Sequence, residues 1–263
     1  MVWANSSPAD KLIIFFHGNA EDIGTSGGFL NPIMNRWKVI LHLLTQKAHA
    51  VAVEYPTYGL YEHKDGQSAL KKEANFVEDG DLVYNFFKDN LNLTAKQIII
   101  FGRSIGSGPA TCLADKHPAG AFFLFSPMFS LRSVASEHAP GCLKCMVSCI
   151  IPKMFDNGTK IWRIETPTFI IHGKADTVID QSNGVKLFEN SGCKIENKQL
   201  VQPAEMTHNT FDLFADFLPP SVTFLTKIGL LQTSNFAPIE SNALLHLLPY
   251  DTRKESELNK QKL

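Results

Sequence analysis

The pentapeptide Gly102-Arg103-Ser104-Ile105-Gly106 constrains the fold more than any other stretch of the chain. It has the form G-x-S-x-G. An apolar, β-branched run at 97–101 precedes it, and residues 104–116 can form a helix. A strand, a sharp turn and a helix would hold the serine hydroxyl clear of a sheet, and two glycines would let the strand and helix approach closely. The pattern also arises by chance, so its meaning depends on which residues follow it.

Two further motifs follow in the order that a Ser-Asp-His catalytic triad requires in this arrangement. An apolar run at 168–171 ends in His172-Gly173, and Asp176 comes three residues after the glycine. A second loop, after a candidate strand at 194–201, carries His208. Carboxyl ends of parallel strands are where open α/β sheets place their chemistry. The sequence therefore predicts Ser104 as nucleophile, Asp176 as the acid and His208 as the base.

Three other residues compete for these roles. His172 could act as the base, but its place at a strand end favours a structural role. Asp180 could replace Asp176 as the acid. Glu205 lies too close to His208 on the same loop to orient its ring. His208 is preferred because of its place in the chain after the last predicted strand.

Acyl-transfer chemistry also needs donors for an oxyanion, and two candidates stand out. One is the backbone N–H of Ile105, directly after the candidate nucleophile. The other is the N–H of Asn19, which follows a predicted strand at 11–17 in the run His17-Gly18-Asn19-Ala20. The pattern predicts a serine hydrolase that needs no cofactor.

Apolar and amphipathic stretches alternate along the chain, which predicts an α/β fold with a mostly parallel, doubly wound sheet. Candidate strands are 11–17, 48–54, 97–101, 120–125, 167–172 and 194–201; candidate helices are 31–46, 70–90, 104–116, 181–190 and 210–225. The strand–helix pattern ends near residue 232. We therefore predict one hydrolase domain at 1–232 and a partly disordered tail at 233–263.

Composition excludes several classes of protein. The 263 residues are 44% hydrophobic and 19% charged, with a net charge of −1, which argues against a nucleic-acid partner. No apolar run is long enough to cross a membrane, and the first ten residues lack signal-peptide features. Five cysteines without an export signal indicate reduced thiols. We expect a cytoplasmic protein and leave peripheral membrane contact and oligomeric state open.

The motifs together resemble those of the alpha/beta hydrolase superfamily. More narrowly, the chain is similar to the alpha/beta hydrolase domain-containing 17 family of protein depalmitoylases and to serine aminopeptidase-like hydrolases. The resemblance implies an alpha/beta hydrolase fold and cleavage of an acyl ester or thioester, including protein S-palmitoyl-cysteine. Amide hydrolysis and a non-catalytic binding role remain alternatives. The segments that carry the resemblance are 16–24, 54–59, 101–108, 170–180 and His208-Asn209, together with Phe155-Asp156 in the region before residue 165.

One departure from that family lies at the N-terminus. Family members carry a lipidated, cysteine-rich N-terminal segment, whereas this chain begins almost at the third strand of the fold. We expect the first strands to be short or missing, with Val2-Trp3-Ala4 as a remnant.

The segment 126–165 is longer than a plain crossover and is predicted to form a short lid. Cys142, Cys145 and Cys149 fall on one helical face, among apolar neighbours. Only His138 is near enough to complete a zinc site, so no metal is predicted. The apolar face instead predicts substrate binding by Met146, Cys149 and Ile150.

Overall fold

A computed structural model describes residues 2–3, 9–19, 48–59, 61–62, 66, 68, 72–231, 238–240 and 243. Within these residues the chain forms a seven-stranded sheet of order β1-β3-β2-β4-β5-β6-β7. β1 is antiparallel to β3, and the other six strands are parallel. The strands are β1 (Val2–Trp3), β2 (Lys11–Phe16), β3 (Ala48–Val53), β4 (Ile98–Arg103), β5 (Ala121–Phe125), β6 (Thr168–Ile171) and β7 (Lys198–Val201).

Helices cover both faces of the sheet. In the described residues they are α1 (Glu73–Asn90), α2 (Ser107–Lys116), α3 (Leu131–His138), α4 (Lys144–Ile150), α5 (Ser182–Asn190) and α6 (Leu218–Lys227). Parallel strands need crossover connections, and these bury both faces of the sheet. This burial explains why residues 12–16, 98–101 and 121–125 of these strands are unbroken apolar runs rather than alternating ones.

Two cores lie on opposite sides of the sheet because successive strand side chains point to opposite faces. Leu12 and Ile14 of β2 join one cluster, which α1 and α2 cover. Ile13 and Phe15 join the other, which α6 covers through Phe224. The predicted α/β hydrolase architecture, with a mostly parallel doubly wound sheet, is confirmed. β1, Val2–Trp3, lies within the predicted remnant Val2-Trp3-Ala4.

Most predicted elements match the observed ones within a few residues, and two differ for local reasons. The predicted strand 194–201 begins with a 3-10 turn, Ile195–Asn197, so only Lys198–Val201 pairs with β6. The predicted helix 210–225 begins later because Asp212 caps a π-helical turn, Leu213–Phe217, that runs into α6. The predicted helix 31–46 and the beginning of the predicted helix 70–90 lie outside the described residues.

The segment 126–165 folds as α3, α4 and several 3-10 turns. It leaves the sheet at the end of β5, between the strands that precede Ser104 and Asp176. Of the predicted tail, residues 238–240 and 243 are described. Ile239 is buried and pairs with Ala9, and its carbonyl lies 2.9 Å from His49 Nε2.

Candidate active site

Ser104 stands on a strained turn directly after β4. Its φ is +53°, in the left-handed region that side-chain-bearing residues seldom adopt. A Cβ on Gly102 would lie 2.6 Å from the Cβ of Ala110, and one on Gly106 would lie 2.3 Å from the carbonyl oxygen of Phe16. Both glycines are therefore needed for the approach of the turn to α2 and to the end of β2.

Asp176 is held in the loop after β6 by hydrogen bonds to both carboxylate oxygens. Its Oδ1 accepts the backbone N–H groups of Val178 and Ile179, each at 2.9 Å. Its Oδ2 lies 2.8 Å from His208 Nδ1. Burial alone would raise the pKa of Asp176, but donors from His172, His208 and Ile179 hold that pKa well below its usual range. The carboxylate is therefore ionised at neutral pH.

His208 connects the acid to the candidate nucleophile. Its Nδ1 faces Asp176, and its Nε2 lies 2.9 Å from Ser104 Oγ. Because an ionised carboxylate only accepts hydrogen bonds, Nδ1 carries the proton and Nε2 accepts from the serine hydroxyl. The three side chains form the continuous Ser-His-Asp network that acyl-transfer enzymes use.

The structure places the competing residues elsewhere. His172 is fully buried, and its Nε2 lies 2.9 Å from the carbonyl oxygen of Ile179 and 3.4 Å from Asp176 Oδ2. Asp180 is exposed, and its Oδ1 accepts the backbone N–H of Ser182 at the start of α5. Glu205 is exposed on the loop that carries His208. The histidine that accepts the hydrogen bond of the Ser104 hydroxyl is His208.

The loop after β2, which carries Asn19, is held against the serine turn. A Cβ on Gly106 would also lie 2.5 Å from the carbonyl oxygen of His17, so the loop and the turn are in contact. Tyr55 donates its hydroxyl hydrogen bond to that same carbonyl at 2.6 Å, and Tyr58 donates to Asn19 Oδ1 at 2.6 Å. The contact brings the segments carrying Ile105 and Asn19 together, as oxyanion donors require.

The imidazole of His17 also holds this loop in place through its contacts with the segment 54–59. It is fully buried, with Nδ1 2.9 Å from the carbonyl oxygen of Gly18 and Nε2 2.9 Å from Glu54 Oε1. Its ring stacks on Tyr55 at a centroid distance of 4.2 Å. The sequence motif 54–59 therefore supports the loop after β2, a role that the one-dimensional pattern did not reveal.

An apolar cavity of about 190 Å³ opens beside the residue that follows Ser104. Its walls include Ile105, Tyr58, Leu131, Met154 and Phe155. Two of these five, Leu131 and Met154, come from outside the motifs by which the sequence singled out the site. Aromatic and aliphatic walls with few polar groups fit the hydrocarbon part of a ligand.

Phe155 is held in that wall by contacts of both its backbone and its ring. Its φ is +51°, and its backbone N–H donates to Glu73 Oε2 at 2.5 Å. Lys160 lies 3.0 Å from the other carboxylate oxygen of Glu73. A Cβ on Gly108 would lie 2.3 Å from the Phe155 ring, so the ring rests directly on α2. The ion pair and the glycine thus set the shape of the cavity.

The predicted lid contacts are arranged differently from the cavity wall. Met146, Cys149 and Ile150 are exposed on α4, whereas Val147 of the same helix is buried. The cavity lining includes none of these three. Their role in binding substrate stays a prediction that the geometry of this conformation does not favour.

In the described part of the chain, no three His, Cys, Asp or Glu side chains converge as metal ligands would. Nor do its helices include one that combines the length and apolar character needed to span a bilayer. Of the three cysteines predicted to share one helical face, Cys145 has a side chain that lies outside the described residues.

Comparison with known proteins points to one family. No family model matches the chain. It is 30% identical to alpha/beta hydrolase domain-containing protein 17B of Xenopus tropicalis, over 84% of this chain and 68% of that protein. The human protein 17B is 29% identical with the same coverage. The Caenorhabditis elegans protein aho-3 is 29% identical over 81% of this chain and 57% of its own length.

Solved structures share the fold at lower identity. A cold-adapted esterase from an Arctic intertidal metagenomic library is 15% identical, with a TM-score of 0.57 and coverage of 85% of each chain. A thermophilic esterase from Thermogutta terrifontis, Est2, is 19% identical, with a TM-score of 0.60 and coverage of 89% of this chain and 90% of the other. These likenesses establish the fold.

Proposed function

The chain belongs to the alpha/beta hydrolase domain-containing protein 17 family, and we propose that it is a serine hydrolase that cleaves acyl esters or thioesters. The observation that carries the proposal is the unbroken hydrogen-bonded network from Asp176 through His208 to Ser104, beside an apolar cavity. The chain spans 57% to 68% of the length of the three relatives compared. The substrate preference is therefore argued from this chain's own residues.

In the proposed reaction Ser104 Oγ attacks the acyl carbonyl carbon while His208 Nε2 takes the hydroxyl proton. Asp176 stabilises the imidazolium that forms. The backbone N–H groups of Ile105 and Asn19 are proposed to hold the oxyanion, and each such donor is typically worth ~2.7–4 kcal/mol. His208 then gives its proton to the departing alcohol or thiol. Water repeats the sequence on the acyl-enzyme and restores Ser104.

The cavity favours a hydrocarbon chain as the acyl group. A chain entering beside Ile105 would meet Tyr58, Leu131, Met154 and Phe155, and each buried methylene contributes ~0.8 kcal/mol. A thioester on a protein cysteine is the substrate that we propose, because the motif resemblance implies it and the cavity supports a hydrocarbon acyl chain. An aminopeptidase-like substrate would need a carboxylate for its α-amino group. Among the described residues beside the loop after β2, the carboxylate of Glu54 is engaged by His17.

Labelling with a fluorophosphonate probe tests the catalytic part of the proposal. The wild-type protein should be labelled, and Ser104→Ala should lose both labelling and hydrolysis, by about 10⁶ in kcat. Thr226→Ala removes a hydroxyl that bonds within α6, away from the site, and serves as the matched control. Ser104→Ala activity within tenfold of wild type would show that Ser104 is not the nucleophile.

A substrate panel tests the acyl preference. It compares p-nitrophenyl esters from acetyl to palmitoyl, an S-palmitoyl-cysteine peptide and an aminoacyl amide. We expect kcat/KM to rise with chain length and the acyl-cysteine peptide to be cleaved. A flat profile with cleavage of the aminoacyl amide would favour the aminopeptidase-like alternative, and an unlabelled wild-type protein would favour a binding role.

A further inference from the structure

The loop that carries His208 must cross a wide gap to reach Ser104. Ser104 follows β4 and His208 follows β7, with β5 and β6 between them in the sheet. At about 4.7–4.9 Å per strand, the two strand ends lie about 14 Å apart. The loop crosses this distance without regular secondary structure, since residues 202–212 belong to no helix or strand. Its final position therefore depends on side-chain and loop contacts.

One side of this loop is fixed by the neighbouring acid loop. The carbonyl of Met206 accepts the backbone N–H of Ala175 at 3.2 Å. A Cβ on Gly173 would lie 1.9 Å from that same carbonyl oxygen, so the two loops are in direct contact. This contact fixes the loop near Asp176, two residues before the imidazole that must reach Ser104.

The other side is held by Arg103, the residue directly before Ser104. Arg103 is the last residue of β4 and is 6% exposed. Its Nη2 donates to the backbone carbonyl of His208 at 3.1 Å and to Asn209 Oδ1 at 2.8 Å. One guanidinium nitrogen thus binds both the candidate base and the residue after it.

From this geometry we infer that Arg103 and Asn209 are positioning residues for His208. This inference rests on the proposed hydrolase function. The planar guanidinium is rigid and always charged, and hydrogen bonds from a charged donor are roughly twice as strong as neutral ones. Arg103 directly precedes Ser104, so the nucleophile and the guanidinium that binds the His208 loop are carried by consecutive residues. The hydrogen bond from Arg103 acts on the backbone carbonyl of His208, so it sets the position of the ring without touching substrate.

The first test is Arg103→Met, which keeps an unbranched apolar stem in place of the arginine methylenes and removes the guanidinium with its donors. Displacement of a reacting group by about 1 Å can cost about 10²-fold in rate. We expect kcat to fall by about that factor, with KM changed by less than about threefold. Arg103→Lys keeps a charged donor but loses the planar guanidinium. Its kcat should therefore lie between those of the wild type and Arg103→Met. Arg163→Met removes an exposed arginine that pairs with Asp115 and is the matched control.

Asn209 gives a second test that does not depend on a buried side chain. Asn209 is exposed, so Asn209→Ala should leave folding intact. It should lower kcat by roughly tenfold, since the hydrogen bond from Arg103 Nη2 to the Asn209 side chain is lost. Asn209→Asp keeps the accepting oxygen and should retain near wild-type kcat. Asn90→Ala, at an exposed asparagine that bonds within α1, is the control.

The double variant separates positioning from general structural damage. If Arg103 and Asn209 act as one hydrogen-bonded pair, combining Arg103→Met with Asn209→Ala should cost little more than Arg103→Met alone. Effects that simply multiply, or wild-type kcat in Arg103→Met, would overturn the inference. Thermal unfolding shows whether Arg103→Met folds. If it does not fold, equal kcat values for Asn209→Ala and Asn209→Asp would overturn the inference. A wild-type protein that neither hydrolyses esters nor reacts with fluorophosphonate would instead overturn the proposed function.

Discussion

His172 and Asp176 face each other within the loop after β6, with 3.4 Å between His172 Nε2 and Asp176 Oδ2. Because the same Nε2 lies 2.9 Å from the carbonyl oxygen of Ile179, which only accepts, His172 carries its proton there. His172 therefore donates toward Oδ2, the same oxygen that His208 Nδ1 contacts at 2.8 Å. Backbone N–H groups on Oδ1 and two histidines at Oδ2 explain how a buried carboxylate keeps its charge.

Asp176, rather than Asp180, should be the essential carboxylate. Asp176→Asn would offer its amide to His208 Nδ1 and favour the wrong imidazole tautomer, so kcat should fall by about 10⁴. Asp180→Asn should have a small effect, because Asp180 is exposed and contacts the start of α5. Steady-state kinetics of the two variants decide the matter. A larger loss in Asp180→Asn would mean that the acid has been misassigned.

The cavity beside Ile105 should set the preference for acyl chain length. Leu131→Trp would fill part of the space of about 190 Å³. The ratio of kcat/KM for octanoyl over acetyl p-nitrophenyl esters should then fall by roughly tenfold or more, since buried methylenes lose their ~0.8 kcal/mol each. Leu82→Trp, at a position 62% exposed on α1, is the control. An unchanged ratio in Leu131→Trp would place the acyl chain elsewhere.

Gly106 should be far less tolerant of a methyl group than Gly141. A Cβ on Gly106 would press against backbone carbonyl oxygens that cannot rotate away, whereas one on Gly141 would meet nothing within 4 Å. Gly106→Ala should lose ~1–3 kcal/mol of unfolding free energy, and Gly141→Ala should stay within about 0.5 kcal/mol of wild type. Urea denaturation measures both. Equal stabilities would contradict the close packing of the serine turn.

The four cysteines with described side chains should divide into two reactivity classes. Burial raises the pKa of the Cys112 thiol to about 12, and it also raises that of Cys193. At pH 8 only about one Cys112 thiol in 10⁴ would be ionised, and the fraction would grow tenfold per pH unit. Cys142 and Cys149 are exposed and accessible. Iodoacetamide at pH 8, followed by peptide mass mapping, should modify these two first; early modification of Cys112 would contradict the buried position.

The sequence identified the sheet and the three network residues because both leave local patterns. Buried parallel strands give apolar runs, and the glycines around Ser104 mark a turn that few other residues allow. The structure brings Ser104, Asp176 and His208 together as the pattern requires, while their catalytic roles stay predictions.

The sequence could not reveal contacts between distant segments. The residue before the serine can be of any type in G-x-S-x-G, so nothing in the pattern connects Arg103 to Asn209. The spacing of the lid cysteines identifies one face of a helix but not what that face contacts. Met146 and Ile150 on this helix are exposed in the structure. The cavity wall instead includes Leu131 and Met154, which no sequence motif had singled out.

The point at which the segment 126–165 leaves the sheet has an evolutionary consequence. It begins at the end of β5, between the strand that leads to the nucleophile and the strand that leads to the acid. Insertions or deletions there can change what covers Ser104 without shifting the register of any strand. Selection could thus alter which molecules the protein accepts while the reacting groups stay where they are.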